Sequence, residues 1–249
     1  MKSAILFLHG WGMNPGVFLR QRDIFGDDLM VIAPDIYDIV SAESDELLLD
    51  QIVDSISDAV RSMGVLRLII FGWSFGGAIA VKIAERLDDI TKGIVLCGFS
   101  PVFKKCDKNR YGIREPAIKK LKGRLECSPG AAIKEFLPLV MYGDDAKDFD
   151  AVKDIVMSRI KDYKRDALVR TLSILEDGDF SDDVGRIKKR ALIIHGSNDK
   201  LCHKKAVDAM AKTISDCSVT IIEGGSHIPF FTESAAFNKI LKEFIEEIG

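Results

Sequence analysis

The G-x-S-x-G pattern at residues 72–76 constrains the fold of this chain more than any other segment. It directly follows the apolar run 66–71 and directly precedes a helical pattern. A strand that turns sharply into a helix strains the backbone of the corner residue, and glycines two positions away on either side leave the room that this turn needs. The segment therefore predicts a strand, a tight corner and a helix, with the Ser74 hydroxyl exposed at one end of a sheet, near the positive end of the helix.

The rest of the chain repeats this alternation of short apolar runs and longer amphipathic stretches. The apolar runs predict six strands, at 4–8, 29–33, 66–71, 93–97, 191–195 and 218–222. Several of them are apolar on both faces, as strands covered by helices on each side are. The amphipathic stretches predict helices, among them 45–63, 75–87 and 235–248. Alternation of this kind is typical of an α/β fold with a mostly parallel sheet of about six strands flanked by helices.

The predicted strands stop after residue 97 and resume at residue 191. The stretch between them has helical patterns and loops but no convincing pair of strands. Helices inserted between two strands of one sheet form a cap over its carboxyl edge, where open α/β folds bind ligands. We therefore expect a first part of the core at 1–101, a helical cap inserted after the fourth strand at 102–183, and a second part of the core at 184–249.

Two later loops carry the groups that a serine nucleophile needs. A serine hydroxyl is a poor nucleophile unless a base takes its proton. Asp199 follows the predicted strand 191–195, and His227 follows the strand 218–222. A serine followed along the chain by an acid and then a histidine is the order expected of such a fold, and both loops emerge at the same carboxyl edge as Ser74. We predict a catalytic triad of Ser74 as nucleophile, His227 as general base and Asp199 as the acid that orients it.

Other histidines and acids compete for these roles. We expect His195 to be a packed structural residue at a strand end, and His203 to be a solvated residue at the start of a helix. His9, in the loop after the first strand, is expected to hold that loop by hydrogen bonding. Glu223 and Asp177 compete with Asp199 for the role of the acid.

The third requirement of this chemistry is a set of donors that stabilise the oxyanion. They are expected to be the backbone N–H of the residue after the nucleophile, Phe75, and one from the loop after the first strand, Trp11. The aromatic side chains of Trp11, Phe75 and Phe103 are also candidates for lining an apolar substrate pocket. Ordinary core packing is the alternative for each of them.

Composition excludes several other classes of function. A net charge of −3 excludes a globally basic nucleic-acid binder, and the sequence has no apolar run long enough to cross a membrane. Five scattered cysteines without metal-binding spacing favour reduced thiols over a disulfide framework or a zinc site. We therefore expect a cytoplasmic protein with no metal, no organic cofactor, no nucleic-acid partner and no membrane partner.

Three segments carry a resemblance to a known family: His9-Gly10-Trp11-Gly12-Met13-Asn14, Gly72-Trp73-Ser74-Phe75-Gly76-Gly77 and Ser226-His227-Ile228-Pro229-Phe230. They resemble the α/β-hydrolase superfamily and, within it, the carboxylesterases of biotin synthesis, which cleave the methyl ester of pimeloyl-acyl-carrier protein. The resemblance implies an α/β-hydrolase fold and a serine carboxylesterase that works through an acyl-enzyme. It covers the catalytic core at both ends of the chain and is weak in the cap. Because the sequence begins at the first predicted parallel strand, we do not expect the N-terminal antiparallel hairpin that is common in the superfamily.

A basic stretch in the predicted cap bears on the partner. Residues 101–127 contain nine basic side chains, all within 104–124, against three acidic ones. Acyl-carrier proteins are acidic, so this segment would steer a small acyl ester carried on such a protein into place. The alternative is a solvated helix face whose charges interact with the acidic remainder of the cap.

Two other functions stay open. A general short-chain carboxylesterase, a thioesterase or a carbon–carbon bond hydrolase would use the same triad, because fold and triad do not separate these reactions. A hydrolase-fold protein that binds a ligand and has lost catalysis is the second alternative.

Overall fold

The computed structural model describes residues 2–40 and 48–249, and its centre is a six-stranded sheet in the order β2-β1-β3-β4-β5-β6. Every neighbouring pair of strands is parallel. The strands are β1 Ser3–Leu8, β2 Met30–Ile32, β3 Arg67–Trp73, β4 Thr91–Cys97, β5 Arg190–Gly196 and β6 Cys217–Ile222. All six coincide with predicted strands, so the predicted parallel sheet is confirmed.

Helices cover both faces of this sheet, as parallel strands require. In chain order they are α1 Leu19–Phe25, α2 Ile36–Ile39, α3 Leu48–Ser62, α4 Phe75–Arg86, α5 Glu115–Cys127, α6 Pro129–Val140, α7 Ala146–Ile160, α8 Arg165–Asp177, α9 Ser181–Gly185, α10 Lys204–Ala211, α11 Pro229–Thr232 and α12 Ser234–Glu247. The predicted helix 45–63 corresponds to α3, and its first three residues lie outside the described ranges. None of the described helices combines the length and the apolar character needed to span a bilayer.

An aromatic cluster fixes the region beneath the carboxyl edge of the sheet. Phe7 of β1 and Phe71 of β3 lie with ring centroids 5.3 Å apart, and both contact Phe18. Phe230 of α11 packs on Phe18 at 5.1 Å and on Phe237 of α12 at 5.9 Å. Aromatic pairs at these separations add stability beyond the area they bury. The cluster therefore ties the segment that follows His227 firmly to the central strands.

Residues 98–189 lie between β4 and β5 and contain the five helices α5 to α9; we call them the inserted segment. All of them are described, and they form only two isolated β-bridges, Val102 with Asp179 and Lys104 with Ile113. The helical character predicted for this stretch therefore agrees with the structure. The bounds 102–183 for a separate cap stay a prediction.

Candidate active site

Ser74 occupies the corner between β3 and α4. Its backbone has φ 53° and ψ −116°, and no other residue apart from glycine has a positive φ in the described part of the chain. A β-carbon on Gly76 would lie 2.1 Å from the carbonyl oxygen of Leu8, and one on Gly72 would lie 2.6 Å from the β-carbon of Ala80. The glycines of the pattern are thus required by close approach, and they allow the surrounding structure to hold Ser74 in a strained conformation that costs about 1–3 kcal/mol.

Asp199 and His227 form a buried hydrogen-bonded pair. Nδ1 of His227 lies 2.7 Å from Oδ2 of Asp199, and the exposed fractions of the two side chains are 3% and 0%. The other carboxylate oxygen, Oδ1, accepts hydrogen bonds from the backbone N–H groups of Leu201 and Cys202, at 2.8 and 2.9 Å. The loop after β5 therefore fixes both oxygens of Asp199, and one of them faces the imidazole.

The backbone of His227 is held from two sides. Its N–H donates to the carbonyl oxygen of Val140, at the end of α6, over 3.1 Å. Its carbonyl oxygen accepts from Nε1 of Trp73, at the end of β3, over 2.7 Å. The imidazole is thus anchored both to the strand that leads into Ser74 and to the inserted segment.

The electrostatics of the site keep Asp199 ionised. Burial acts to raise the pKa of this carboxyl, but the charge of His227 and the hydrogen bonds from His227 and the Cys202 N–H hold the pKa below its ordinary value. Burial also raises the pKa of the Cys97 and Cys202 thiols, and the charge of Asp199 raises both further. These two cysteines are therefore neutral thiols at neutral pH, and thiolate chemistry does not compete with the serine.

The competing histidines have other surroundings. His195 is buried at the end of β5. Its Nδ1 lies 3.7 Å from Oδ2 of Asp199 and makes no hydrogen bond in the described structure. His203 is exposed and caps α10, where its Nδ1 accepts from the N–H of Lys205. In His9, Nε2 accepts from the N–H of Ile36 over 3.0 Å. These positions agree with the packed, solvated and loop-holding roles predicted for the three residues.

The two competing acids are exposed and take no part in the pair of His227 and Asp199. Glu223 is exposed in the loop after β6. Asp177 has 71% of its side chain exposed and pairs with Lys104 at 3.4 Å. Asp199 is therefore the acid that the fold brings to His227.

Ser74 and His227 line the floor of a cavity with two lobes, which share Phe103, Leu175 and Leu201. The first lobe is narrow and apolar. Its other lining residues are Gly10, Trp11, Met13, Trp73, Leu121, Phe136, Val140 and Leu172. The second lobe is also narrow and has a more polar wall. Its other lining residues are Gly98, Phe99, Ser100, Asn109, Cys202 and His203. The inserted segment supplies most of the walls, and the sheet supplies the floor.

The three aromatic residues predicted for the pocket have different positions. Trp11 and Phe103 line the first lobe. The side chain of Phe75 is fully buried and lines neither lobe, because α4 packs its whole first turn into the core. Core packing, the alternative considered from the sequence, therefore describes the Phe75 side chain, and its contact with substrate stays a prediction.

The backbone donors predicted for the oxyanion are unoccupied. Within the described ranges, neither the N–H of Trp11 nor that of Phe75 donates a hydrogen bond. The next two N–H groups of the same loop are used, since Gly12 donates to the Tyr37 hydroxyl over 2.7 Å and Met13 donates to the Gly10 carbonyl over 3.2 Å. Phe75 is the first residue of α4, and the first N–H groups of a helix have no partner within it. Both N–H groups are thus left without an acceptor among the described residues, and their role as oxyanion donors stays a prediction.

Two functional features were not found from the sequence. Gly98 follows β4 with φ 54°, and a β-carbon there would lie 2.8 Å from Nδ1 of His227 and 3.3 Å from Oδ2 of Asp199. A glycine directly after a predicted strand at this edge was the available signal. Tyr37 of α2 was also missed, because its contact with Gly12 joins elements that are adjacent only in the folded chain.

The basic segment 104–124 is largely neutralised by neighbouring acids. Five of its cations pair with acids of the inserted segment: Lys104 with Asp177, Lys108 with Asp179, Lys119 with Glu115, Lys122 with Glu176 and Arg124 with Glu135. Lys105, Arg110, Arg114 and Lys120 are exposed and make no ion pair with any described residue. In the described residues, no group of three histidine, cysteine or acidic side chains could hold a metal ion.

Comparison with known sequences identifies the family. Residues 5–240 match the sequence profile of the alpha/beta hydrolase family. The pimeloyl-[acyl-carrier protein] methyl ester esterase of Chromobacterium violaceum is 25% identical over 242 residues, which are 97% of this chain and 94% of that protein. The esterase of the same name from Vibrio cholerae is 27% identical, over 96% of this chain and 93% of that protein. The predicted resemblance is confirmed.

Solved structures show the same fold. An esterase from Exiguobacterium antarcticum superposes with a TM-score of 0.87 at 19% identity, over 98% of this chain and 92% of that chain. A bromoperoxidase from Bacillus anthracis gives a TM-score of 0.88 at 18% identity, over 99% of this chain and 92% of that chain. Sheet topology, strained serine corner and sequence profile agree, and the chain belongs to the alpha/beta hydrolase family.

Proposed function

We propose that this chain is a serine carboxylesterase whose substrate is the methyl ester of pimeloyl-acyl-carrier protein. The observation that carries the chemistry is the buried hydrogen bond between Asp199 and His227, with His227 and the strained Ser74 lining the same cavity. The class, a carboxylic ester hydrolase, is supported further by relatives that are named esterases and span nearly the whole chain. The substrate is suggested by the names of those relatives.

The pair of Asp199 and His227 prepares the base. Because the ionised Asp199 only accepts hydrogen bonds, Nδ1 of His227 carries the proton between them, and Nε2 is left with a lone pair. In the proposed first step Nε2 takes the Ser74 proton as Oγ attacks the ester carbonyl carbon. The π electrons of the carbonyl move to its oxygen, and a tetrahedral oxyanion forms.

The N–H groups of Trp11 and Phe75 are proposed to bind this oxyanion. Both lack other hydrogen-bond partners among the described residues, so they do not have to break a bond to do so. Donors that are already oriented in a site without water are often the largest single contribution to catalysis. The N-terminal end of α4, where Phe75 lies, adds a favourable dipole.

The second half of the reaction returns the enzyme to its starting state. The protonated His227, stabilised by Asp199, gives its proton to the leaving alcohol as the oxyanion collapses to an acyl-enzyme. Nε2 then takes a proton from water, whose oxygen attacks the acyl carbon, and the protonated imidazole returns a proton to Ser74. The products are methanol and a free carboxylic acid, and no step needs a metal ion or an organic cofactor.

Recognition is proposed to lie in the inserted segment, with 102–183 acting as a cap. Its side chains Leu121, Phe136 and Leu172 line the apolar lobe, where an aliphatic chain loses contact with water. Four exposed cations of the basic segment make no ion pair with a described residue: Lys105, Arg110, Arg114 and Lys120. They supply a smaller positive surface for an acidic carrier than all nine cations of the segment would. Steering by such charges weakens as salt is added.

The proposal is tested by hydrolysis of methyl pimeloyl-acyl-carrier protein, with para-nitrophenyl acetate and butyrate alongside. We expect efficient cleavage of the carrier-bound ester, loss of all activity in Ser74→Ala, and a fall in kcat/KM for the carrier-bound ester as salt is raised. Cleavage of the small esters alone would retain the serine chemistry and reject the carrier-bound substrate. Wild-type rates in Ser74→Ala would reject the mechanism.

A general short-chain esterase is the second candidate. The observation that favours it is the neutralisation of the basic segment, since five of the nine cations there are already paired. Replacing Lys105 and Lys120 with glutamate separates the two candidates. A slower reaction only with the carrier-bound ester supports carrier docking, and unchanged rates with every ester support the general esterase.

A further inference from the structure

The loop 9–13, which holds the proposed donor Trp11, contacts the inserted segment at several points. The indole Nε1 of Trp11 donates to the carbonyl oxygen of Leu168, in α8, over 2.9 Å. The hydroxyl of Tyr163 donates its proton to Oδ2 of Asp35 over 2.8 Å and lies 3.4 Å from the carbonyl oxygen of Met13. A β-carbon on Gly12 would lie only 2.5 Å from Cδ1 of Ile133, in α6. Three parts of the inserted segment therefore lie directly against this loop.

Tyr37 connects the loop to α8 through a hydroxyl with two neighbours. Its oxygen accepts the N–H of Gly12 over 2.7 Å and lies 3.5 Å from Oγ1 of Thr171. Thr171 donates its own hydroxyl proton to the carbonyl oxygen of Ala167 over 2.7 Å. Because that proton is already used, the contact with Thr171 requires Tyr37 to be the donor. The chain of hydrogen bonds thus runs from Gly12 through Tyr37 to Thr171.

The surroundings of Tyr37 keep its hydroxyl protonated and its ring fixed. Burial raises the pKa of the phenol well above its ordinary value. The ring lies against that of Tyr163, with centroids 4.4 Å apart, and 5.9 Å from the ring of His9. Only 7% of the residue is exposed. A buried phenol packed between two rings cannot change its rotamer without disturbing both, so the position of its oxygen is well determined.

Fixing the N–H of Gly12 also fixes Trp11. The N–H of Gly12 belongs to the peptide that joins Trp11 to Gly12, and this peptide is planar. Gly12 has φ 70°, a conformation that other residues rarely adopt. If the hydrogen bond to Tyr37 is lost, this peptide is free to rotate, and the orientation of Trp11 on its other side changes with it. The free N–H of Trp11 then no longer points in one direction.

We propose that Tyr37 is a positioning residue for the oxyanion donor Trp11, and that Thr171 of the inserted segment holds Tyr37 in place. The inserted segment would thereby control the rate of the chemical step as well as the shape of the cavity. This inference rests on the proposed function, because it takes Trp11 as an oxyanion donor.

The test compares Tyr37→Phe with Tyr142→Phe, a matched change at a tyrosine that is 50% exposed. With para-nitrophenyl butyrate we expect kcat of Tyr37→Phe to fall about tenfold with little change in KM, less than the 10²- to 10³-fold lost when an oxyanion donor is removed outright. The affinity for a trifluoromethyl ketone, whose adduct with serine carries the oxyanion, should fall by a similar factor. Tyr142→Phe should match the wild type in all three measurements.

A second pair of variants guards against a folding defect in Tyr37→Phe. Thr171→Val keeps the size of the side chain but removes the hydroxyl, and Thr171→Ser keeps the hydroxyl. We expect a reduced kcat and weaker ketone binding only in Thr171→Val. A Tyr37→Phe enzyme with a lower melting temperature but unchanged kcat and ketone affinity would overturn the inference, and so would equal behaviour of the two Thr171 variants.

Failure of the inference differs from failure of the proposed function. If Ser74→Ala abolishes hydrolysis while Tyr37→Phe keeps the wild-type kcat and ketone affinity, only the role of Tyr37 is rejected. If Ser74→Ala retains hydrolysis, the proposed function is rejected and the role of Tyr37 with it.

Discussion

The sheet core and the inserted segment hold their polar side chains in different ways. In the core, Asp199 and His227 are buried, and backbone groups or each other satisfy their hydrogen bonds. In the inserted segment, ion pairs such as Arg124 with Glu135 have about half of each side chain exposed. Water and salt screen exposed pairs, which are typically worth about 0–1 kcal/mol each. The groups proposed for catalysis are thus held rigidly, whereas the inserted segment rests on weaker polar contacts and on apolar packing.

The two regions nevertheless meet at the site. The N–H of His227 donates to Val140, and the indole of Trp11 donates to Leu168, both in the inserted segment. These backbone acceptors tie the inserted segment to the base and to the oxyanion loop. We therefore propose that the side chains lining the cavity in the inserted segment set specificity, while its backbone acceptors and the Thr171 hydroxyl support the chemistry. Four substitutions test this division.

The largest effect is expected at the buried acid of the core. Asp199→Asn keeps the shape of the side chain but removes the charge that stabilises the imidazolium, so kcat should fall about 10⁴-fold. Steady-state hydrolysis of para-nitrophenyl butyrate measures this change in kcat. Glu223→Gln, an exposed acid in the neighbouring loop, is the control and should keep the wild-type rate. Equal losses of kcat in the two variants would show that Asp199 has no specific role in the reaction.

The next effect concerns the missed glycine beside the pair. Gly98→Ala would put a methyl group 2.8 Å from Nδ1 of His227 and displace the imidazole. A misplacement of about 1 Å costs about 10²-fold in rate, so kcat should fall by that order. Gly64→Ala is the matched control, because Gly64 also has a positive φ, 68°, but nothing lies near its missing β-carbon. Similar kcat values for the two variants would mean that only backbone strain matters at Gly98.

A smaller and selective effect is expected in the walls of the cavity. Leu172→Trp fills part of the apolar lobe, so kcat/KM for para-nitrophenyl octanoate should fall about tenfold more than for the acetate. Leu139→Trp changes a leucine of the same segment that is 46% exposed and should leave the ratio of the two esters unchanged. If Leu172→Trp slows both esters equally, the lobe does not hold the acyl chain.

The smallest effect is a change in stability with pH. Burial, with smaller help from the charges of His227 and Lys204, lowers the pKa of His195 below its ordinary 6.5, although Asp199 and Asp208 act in the opposite sense. Below pH 6.5 the unfolded chain binds a proton at His195, whereas the folded chain does not bind it until the pH reaches the lower folded pKa. The contribution of a neutral His195 to the free energy of unfolding is therefore complete above pH 6.5 and falls as the pH drops towards the folded pKa.

Urea unfolding on both sides of pH 6.5 measures this contribution. We expect the free energy of unfolding of His195→Phe to fall less steeply with acidification than that of the wild type. The exposed His203→Asn, which keeps a capping side chain, should retain the wild-type slope. A wild-type slope in His195→Phe would assign the acid sensitivity to other groups.

Much of the core could be predicted from the sequence, for a physical reason. Buried parallel strands are apolar on both faces and short, so β3 and β5 are visible as uninterrupted runs. The order of the strands and the sharp corner at Ser74 then restrict where an acid and a base can lie. Asp199 and His227 follow from this geometry without any contact being known.

The remainder depends on contacts between distant parts of the chain. The ion pairs of Lys104 with Asp177 and of Lys122 with Glu176 join residues more than fifty positions apart, and no local pattern reveals them. The burial of the Phe75 side chain likewise depends on how α4 packs. Ion pairs in the fold therefore leave this basic stretch with fewer unpaired positive charges than the sequence indicated.

The most direct test of the central assignment is covalent labelling with a fluorophosphonate, followed by mass spectrometry of the intact protein and its peptides. We expect one adduct per chain on the peptide that contains Ser74, no adduct in Ser74→Ala, and much slower labelling when His227 is changed to alanine. An adduct on another residue, or undiminished labelling of Ser74→Ala, would contradict this assignment.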